Sequence, residues 1–386
     1  MNHELTKLLR ELDQRREKLQ SGPAVIFLQT VRGCPLTCAM CQFEPSRPER
    51  ISRELLAKVE PAFPNLEVLG IHGYGAPLLG DLDYFVRQSL EHDFVIHMNT
   101  TGFFLTRERA DLLARTRLSI RFSIPAGTAP TYANIMGREF GRVLDNVAYL
   151  VERTQRTDRP ADLWFSYIVM EDNLDEIDAF LHRAHDCGIR IVQFMRLRPQ
   201  PRKRTTIRAK DRDYGFNYSR QAHPSVRERF IERLPEIQAI AADLGIEIEH
   251  GSLVERLGNP NALAQLVNNT SSRYLQRRVL PFKTARGICV APWIGQLSIN
   301  QSGIVCLCCA SAFPVGDLNH SSLDEIWNSK HMRRVRRSFA RERFPHLCGY
   351  CRGFDLKEYP RNTVFRKSSE KHLECTQNPI QVASAW

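Results

Sequence analysis

The chain has 386 residues, 42% of them hydrophobic, enough for one large domain with a packed core and a smaller one beside it. No apolar run approaches the ~20 residues of a membrane-spanning helix. The charged opening from Asn2 to Gln20 lacks a secretory pattern, so a cytoplasmic chain with no membrane partner is expected. The net charge of +11 would suit a polyanion, but the excess is local. It sits at Arg202, Lys203, Arg204, Arg208 and Lys210, and again at Arg333, Arg334, Arg336, Arg337, Arg341 and Arg343. No base-stacking or groove-reading element accompanies these stretches. A solvated basic face, or arginines beside an anionic cluster or substrate, is therefore favoured over a nucleic-acid surface.

In chain order, residues 3–20 read as an amphipathic helix with Leu5, Leu8, Leu9, Leu12 and Leu19 near one face. Ala24–Leu28, bounded by Gly22-Pro23, reads as a short buried strand. Further strands are expected at Glu67–Ile71, Phe94–Met98, Leu118–Ser123, Leu163–Met170 and Ile189–Met195. Helical patterns such as Asp81–His92, Thr106–Arg115 and Asp175–Cys187 lie between them. This alternation means parallel βα units, and with the first strand it gives six, short of a closed eight-stranded barrel. A helix at Ser225–Leu244 and a strand at Ile246–Glu249 would finish the layer. Gln296–Asn300 and Ile304–Cys308 read as a hairpin turning at Gln301-Ser302-Gly303, followed by a helix from Leu323 to Phe339 capped by Ser321 or Ser322.

The chemistry is expected at the cysteines. Eleven of them, in a chain without a secretory signal, point to metal or redox work rather than disulfides. Cys34, Cys38 and Cys41 stand in the spacing C-x3-C-x2-C, just past the carboxyl end of the first strand. A zinc site would want four ligands, usually as C-x2-C pairs separated by a longer gap. Three thiolates in one loop suit three corners of a cubane iron–sulfur cluster, leaving one iron open.

On this triplet and its place after a first strand, the chain resembles the radical S-adenosylmethionine enzymes. The resemblance implies a partial (β/α)6 TIM-like barrel, with a 4Fe–4S cluster whose open iron binds the methionine part of S-adenosylmethionine. It further implies reductive cleavage to a 5′-deoxyadenosyl radical that abstracts a substrate hydrogen atom. Strand-end loops are similar to those of the family. Gly73-Tyr74-Gly75-Ala76-Pro77 stands where relatives carry Gly-x-Gly-Glu-Pro against the methionine amine, with Ala76 in place of the glutamate. Asn99-Thr100-Thr101-Gly102 occupies the place of the Thr-Asn-Gly turn. Ser123 matches a ribose contact, while Met40 and Val169 match positions beside adenine.

A second group, Cys289, Cys306, Cys308, Cys309, Cys348 and Cys351, falls in the hairpin region and a C-x2-C knuckle. Such a unit is too poor in core to stand without a metal, and zinc would serve. The arrangement also resembles the auxiliary domain called SPASM in its long form and twitch in its short form. A further cysteine run of the long form is missing after Cys351, with only Cys375 beyond. The resemblance thus implies one auxiliary 4Fe–4S cluster on Cys289, Cys308, Cys348 and Cys351, with Cys306 or Cys309 as substitutes for Cys308. Four thiolates saturate a cluster, which points to outer-sphere electron transfer. Cys187 reads as a buried helix residue, with hydrogen-atom donation as the alternative.

The expected organisation is an N-terminal helix (1–22), the barrel (23–250), a linker (251–285), the auxiliary domain (286–352) and a tail (353–386). About thirty residues precede Cys34, too few for the peptide-recognition domain of peptide-modifying relatives. The expected substrate is therefore a small polar natural-product intermediate, an amino sugar or alcohol, that is oxidised or epimerised. A flavodoxin or ferredoxin would be the reducing partner. The alternatives are a peptide maturase making crosslinks or epimers and a zinc-containing nucleic-acid-binding protein.

Overall fold

The computed structural model describes residues 3–41, 43–71, 75–197, 206–209, 211–250, 253, 289–308, 311–341 and 343. Its centre is a ten-stranded sheet in the order β11-β8-β7-β6-β5-β4-β1-β12-β13-β14. The first of these in the chain is β1 (Val25–Leu28), and a two-residue ribbon, β2 (Val31–Arg32) with β3 (Glu49–Arg50), follows it. Then come β4 (Val68–Ile71), β5 (Val95–Thr100), β6 (Leu118–Ser123), β7 (Ala161–Val169) and β8 (Ile191–Arg196). A second ribbon pairs β9 (Thr206–Arg208) with β10 (Gly215–Asn217), and β11 is Glu247–Glu249. The last strands are β12 (Gly295–Ile299), β13 (Ile304–Cys308) and β14 (Ser311–Asp317).

The strands from β11 to β12 run parallel, and β13 and β14 complete an antiparallel meander. The hairpin expected near the chain end thus continues the barrel sheet, with β12 beside β1. The meander's third strand, Ser311–Asp317, went unread in the sequence because Pro314 and Gly316 interrupt its apolar pattern.

The helices are α1 (His3–Asp13), α2 (Arg53–Val59), α3 (Leu82–His92), α4 (Arg107–Leu113), α5 (Ala129–Met136) and α6 (Phe140–Gln155). After them come α7 (Ile177–Asp186), α8 (Tyr218–Gln221), α9 (Pro224–Asp243), α10 (Ala291–Ile294), α11 (Leu323–Trp327) and α12 (Lys330–Ala340). Side chains alternate across each strand. Phe122, Phe165, Tyr167 and Phe194 face the helices, with Tyr167 and Phe180 at 4.4 Å and Phe194 and Phe230 at 5.3 Å between ring centroids. Burying each such ring contributes on the order of 2–3 kcal/mol. The opposite parity points into the barrel and is largely polar: His97 and Asn99, Ser119, Arg121 and Ser123, Trp164 and Ser166, Gln193 and Glu249.

Two expected helices are corrected. The helix expected over residues 3–20 stops at Asp13, because Arg15 adopts a left-handed φ of 51° and the next amide turns back to Glu11. Leu19 is nevertheless buried, held by reciprocal bonds between its backbone and the Asn328 side chain at 3.0 and 2.9 Å. The helix expected from Leu323 to Phe339 breaks at Asn328-Ser329, where Asn328 is drawn to Leu19 and Ser329 caps a new helix. Ser322 caps the first with a reciprocal Glu325 bond, a capping box.

The late basic stretch is not simply a solvated face. Arg336 is fully buried and donates to the carbonyls of Pro292, Glu17 and Trp327 at 2.8, 2.9 and 2.8 Å, its guanidinium 4.3 Å from the Trp327 ring centroid. Arg337 pairs with Glu17 at 2.5 Å. These arginines tie the segment after α1 to the end of the sheet. The early basic stretch is outside the described residues at Arg202, Lys203, Arg204 and Lys210.

Candidate active site at the strand carboxyl ends

The β2–β3 ribbon pairs Val31 with Arg50 and Arg32 with Glu49, closing the base of the cysteine loop. Gly33 enters the loop at φ +88°, where a side chain would also strike the Arg47 carbonyl. Inside the loop Ser46 N donates to Cys34 O at 2.9 Å and Cys41 N to Cys38 O at 3.0 Å.

Two neighbours seat this loop. From the end of α5, Ile135 O accepts the Ala39 amide at 2.7 Å. From the segment after β8, Arg212 Nη2 donates to both Thr37 O at 3.2 Å and Ile135 O at 3.1 Å, and Asp211 accepts the Thr37 hydroxyl at 2.5 Å. Tyr218 donates to the Met40 carbonyl. The other end of α5 is tied as well. Glu176 accepts the amides of Gly127 and Thr128 at 3.0 and 3.1 Å and the hydroxyls of Thr128 and Thr131 at 2.7 and 2.6 Å.

The three thiols lie within one another's electrostatic reach. Burial pushes Cys38 up to about 12, and the negative charge of Cys41 and Cys34 adds to it, while Arg212 and Arg138 oppose. Burial also raises Cys34, against the Leu36 amide and Arg138. Such thiols ionise readily only when a metal takes the proton's place. Among the described residues no three of His, Cys, Asp and Glu converge tightly enough for a single metal ion. A cubane offers each thiolate its own iron, so its ligands stand further apart than those of a mononuclear site.

Beside the loop, Gly33 and Gly75 form a parallel bridge, and Ala76 N donates to Gly33 O at 3.3 Å. Ala76 is buried and brings no side-chain acceptor, while Gly73 lies outside the described residues. Asn99 is next to last in β5 on the inner face, and its buried Oδ1 has no partner. The turn after it is formed by Gly102 at φ +76°, whose amide donates to Thr100 Oγ1 at 3.2 Å. Ser123 ends β6 on the same face, opposite Ser166. Met40, Gly75, Ala76, Asn99 and Ser123 thus share one end of the barrel. Val169 differs, because strand alternation turns its buried side chain toward the helices. The turn beyond it is fixed by Asn173, which donates to Pro125 O and Ile168 O at 2.9 Å each.

Sequence reasoning missed the inner wall. Arg121 is 7% exposed, stacks 4.7 Å from the Trp164 ring centroid and feels the charge of Glu249 across the wall. Burial lowers its pKa to about 10. Gln193 donates to Glu249 at 3.3 Å, and His97 Nδ1 lies 3.1 Å from Ser119 Oγ. The signal was present in Leu118–Ser123, whose polar residues share one parity.

In the second cysteine group, Cys289 is half-buried just before α10, while Cys306 and Cys308 are buried on β13, and Cys306 is disulfide-bonded, which corrects the expectation of cysteines without disulfides. The β13–β14 register shifts on both sides of Cys306, and such bulges re-aim strand side chains. Cys309, Cys348 and Cys351 lie outside the described residues. Cys187 caps α7 in the helical layer, buried, with its sulfur 3.6 Å from Leu144 O. Burial raises it to about 12, so it is a core thiol remote from the inner wall.

The family model for the radical SAM superfamily matches residues 28–184, and that for SPASM, an iron–sulfur cluster-binding domain, matches residues 289–352. Among solved structures the fold is similar to Streptococcus suis SuiB, at 13% identity and TM-score 0.56, over 86% of this chain and 72% of that one. SuiB bound to its precursor peptide SuiA gives 14% and 0.56 over 86% and 70%. Native anSMEcpe with bound AdoMet gives 13% and 0.55 over 81% and 82%. Among curated protein sequences none matches. The chain belongs to the radical S-adenosylmethionine superfamily and carries a SPASM cluster-binding domain on its partial barrel.

With the family come S-adenosylmethionine, a 4Fe–4S cluster and auxiliary iron–sulfur. The residues present fit them. Three thiols share one loop under the field of two arginines, a backbone cradle at Gly33 and Gly75 excludes any β-carbon, and an orphaned amide oxygen waits at Asn99. No helix among the described residues is long and apolar enough to cross a membrane.

Proposed function

We propose that this enzyme abstracts a hydrogen atom from a small polar substrate bearing an anionic group and carries it to an oxidised or epimerised product. In this reading Cys34, Cys38 and Cys41 hold the radical cluster, and Cys289, Cys308, Cys348 and Cys351 hold one auxiliary cluster. Gly73, Gly75, Asn99 and Ser123 line S-adenosylmethionine, with Met40 at its adenine. When bound, these groups supply the 5′-deoxyadenosyl radical and, at the saturated auxiliary cluster, outer-sphere electron transfer. The backbone around Ala76 binds the methionine amine, since no carboxylate stands there.

The observation that carries the substrate class is the inner wall. A buried guanidinium stacked on an indole, within the electrostatic reach of a carboxylate that itself holds an amide, suits the recognition of a compact charged molecule. Arg121 would bind the anion, and Glu249 with Gln193 a hydroxyl or amine. An amino sugar or alcohol with a phosphate or carboxylate has this chemistry. Anaerobic incubation of the reconstituted enzyme with such compounds, assayed for 5′-deoxyadenosine and for deuterium transferred from labelled substrate, tests the reading. If only peptides supported transfer, it would fail.

A peptide substrate is the second reading. It is favoured by the fold shared with SuiB bound to SuiA and with anSMEcpe bound to its peptides. A reducing partner such as flavodoxin or ferredoxin fits either one.

A further inference from the structure

The exposed face of α12 has no part in the reading above. The helix carries Lys330, Arg333, Arg334, Arg336 and Arg337 and no acidic residue. Met332, Val335 and Phe339 are buried on one side, together with Arg336. On the other side Lys330, Arg334, Arg337 and Arg341 recur at spacings of three and four and form one exposed stripe. Like charges at these spacings repel along a helix. Other helices of this chain set opposite charges there, as in Glu54 with Lys58, Asp83 with Arg87 and Glu152 with Arg156. A stripe of one sign works against its own helix, a local conflict of the kind found at functional sites.

The segment after α1 widens the patch. Arg15 donates to Ala340 O at 2.7 Å, and Arg336 to Glu17 O at 2.9 Å, which lays exposed Arg16 and Lys18 alongside α12. The acidic residue between them, Glu17, pairs with Arg337 at 2.5 Å. Both parts of the patch rest on α10. Trp293 Nε1 donates to Arg16 O at 2.9 Å, and Pro292 O accepts from Arg336 at 2.8 Å. Half-buried Cys289 stands just before α10, and α10 leads into the amino end of β12, the end toward which β13 carries Cys308. The basic surface is thus built on the helix that follows Cys289, toward the sheet end opposite to the Cys34 loop.

We propose that this surface, Lys330, Arg334, Arg337 and Arg341 with Arg16 and Lys18, docks an acidic one-electron carrier protein that takes electrons from the auxiliary cluster. This rests on the reading of Cys289 as a ligand of that cluster. Oxidation of a substrate radical with loss of a proton releases one electron to the auxiliary cluster, and that electron has to leave again before the next turnover. The oxidised carrier takes it up and departs reduced by one electron. The patch has the size of such an encounter: α12 is about 16 Å long, and electron-transfer interfaces bury less than about 1,200 Å² and are steered by charge. The stripe bears no aromatic side chain on which bases could stack, and the apolar face that a membrane-surface helix would need is already buried in the protein.

The test measures binding of an acidic flavodoxin, in its oxidised form, between about 50 and 300 mM KCl. It compares the reconstituted wild type, Lys330→Glu/Arg334→Glu, and the control Arg87→Glu/Arg115→Glu, which changes the net charge equally at exposed sites elsewhere. Each variant is checked for the wild-type circular dichroism spectrum. Electron transfer is followed in a Cys34→Ala/Cys38→Ala/Cys41→Ala background, so that only the auxiliary cluster is loaded. The signal is the flavin semiquinone that appears when the chemically reduced protein is mixed with oxidised flavodoxin. The expected result is an affinity that falls with salt, a loss of about 10-fold or more in affinity and semiquinone rate for the stripe variant, and values within about 2-fold of wild type for the control. Unchanged values in the stripe variant, or an equal loss in the control, would overturn the proposal. So would stripe-dependent binding of a DNA duplex or of phosphatidylserine vesicles while flavodoxin binding stays indifferent to the stripe. A triple-cysteine background that takes up no iron would instead refute the reading of Cys289 on which the proposal rests.

Discussion

Gly75 and Val31 approach so closely that a β-carbon on Gly75 would stand 2.4 Å from the Val31 carbonyl oxygen and 2.9 Å from that of Gly33. Both obstacles are backbone, so neither can swing aside. Gly75→Ala should push the loop after β4 away from the cysteine loop, at a cost on the order of 1–3 kcal/mol. A lowered unfolding temperature with reduced iron uptake on reconstitution is expected. Wild-type values for both would show that the bridge yields easily.

The two cysteine groups should separate by function. Cys34→Ala, Cys38→Ala and Cys41→Ala should each abolish 5′-deoxyadenosine formation. Cys308→Ala should retain cofactor cleavage and lose product. Full product from Cys308→Ala would remove that residue from the electron path and turn attention to Cys309, since Cys306 is disulfide-bonded.

Arg121→Met keeps the stem that lies along Trp164 and removes the charge. A charge-assisted hydrogen bond is worth about 1.5–3 kcal/mol, so kcat/KM for an anionic substrate should fall about 10- to 100-fold. Cofactor cleavage without substrate should be preserved. An equal loss in both assays would mean that Arg121 supports the barrel wall and not the substrate.

His97 is buried and its pKa is lowered to about 3, through burial first and then the charge of Arg121. The unfolded chain binds this proton near pH 6.5 and the folded one only near pH 3. Stability should therefore fall as pH drops through that window, with this one group contributing up to about 1.4 kcal/mol per pH unit. His97→Gln should flatten part of the dependence, as read from urea midpoints between about pH 5 and 7. A variant with the same slope as wild type would contradict the assignment.

What the sequence disclosed was whatever depends on local pattern. Val25–Leu28, Leu118–Ser123 and Ile304–Cys308 are strands by their apolar content, and the triplet at Cys34 announces its chemistry by spacing alone. What depends on contacts distant in sequence stayed hidden. Asp211, Arg212 and Tyr218 seat a loop about 175 residues earlier, and nothing around them marks that purpose. The break at Asn328 reflects a partner at Leu19. Arg121 was legible in principle, but reading its strand as an element passed over the parity of its polar residues.

The pairing of β12 with β1 has a mechanical consequence. Cys34 lies beyond the carboxyl end of β1, whereas antiparallel β13 carries Cys308 back toward the amino end of that strand, so the two stand toward opposite ends of one continuous hydrogen-bonded sheet and are not joined by a hinge. In the proposed reading, an electron passing between the two cysteine groups would travel along the strands of this shared sheet.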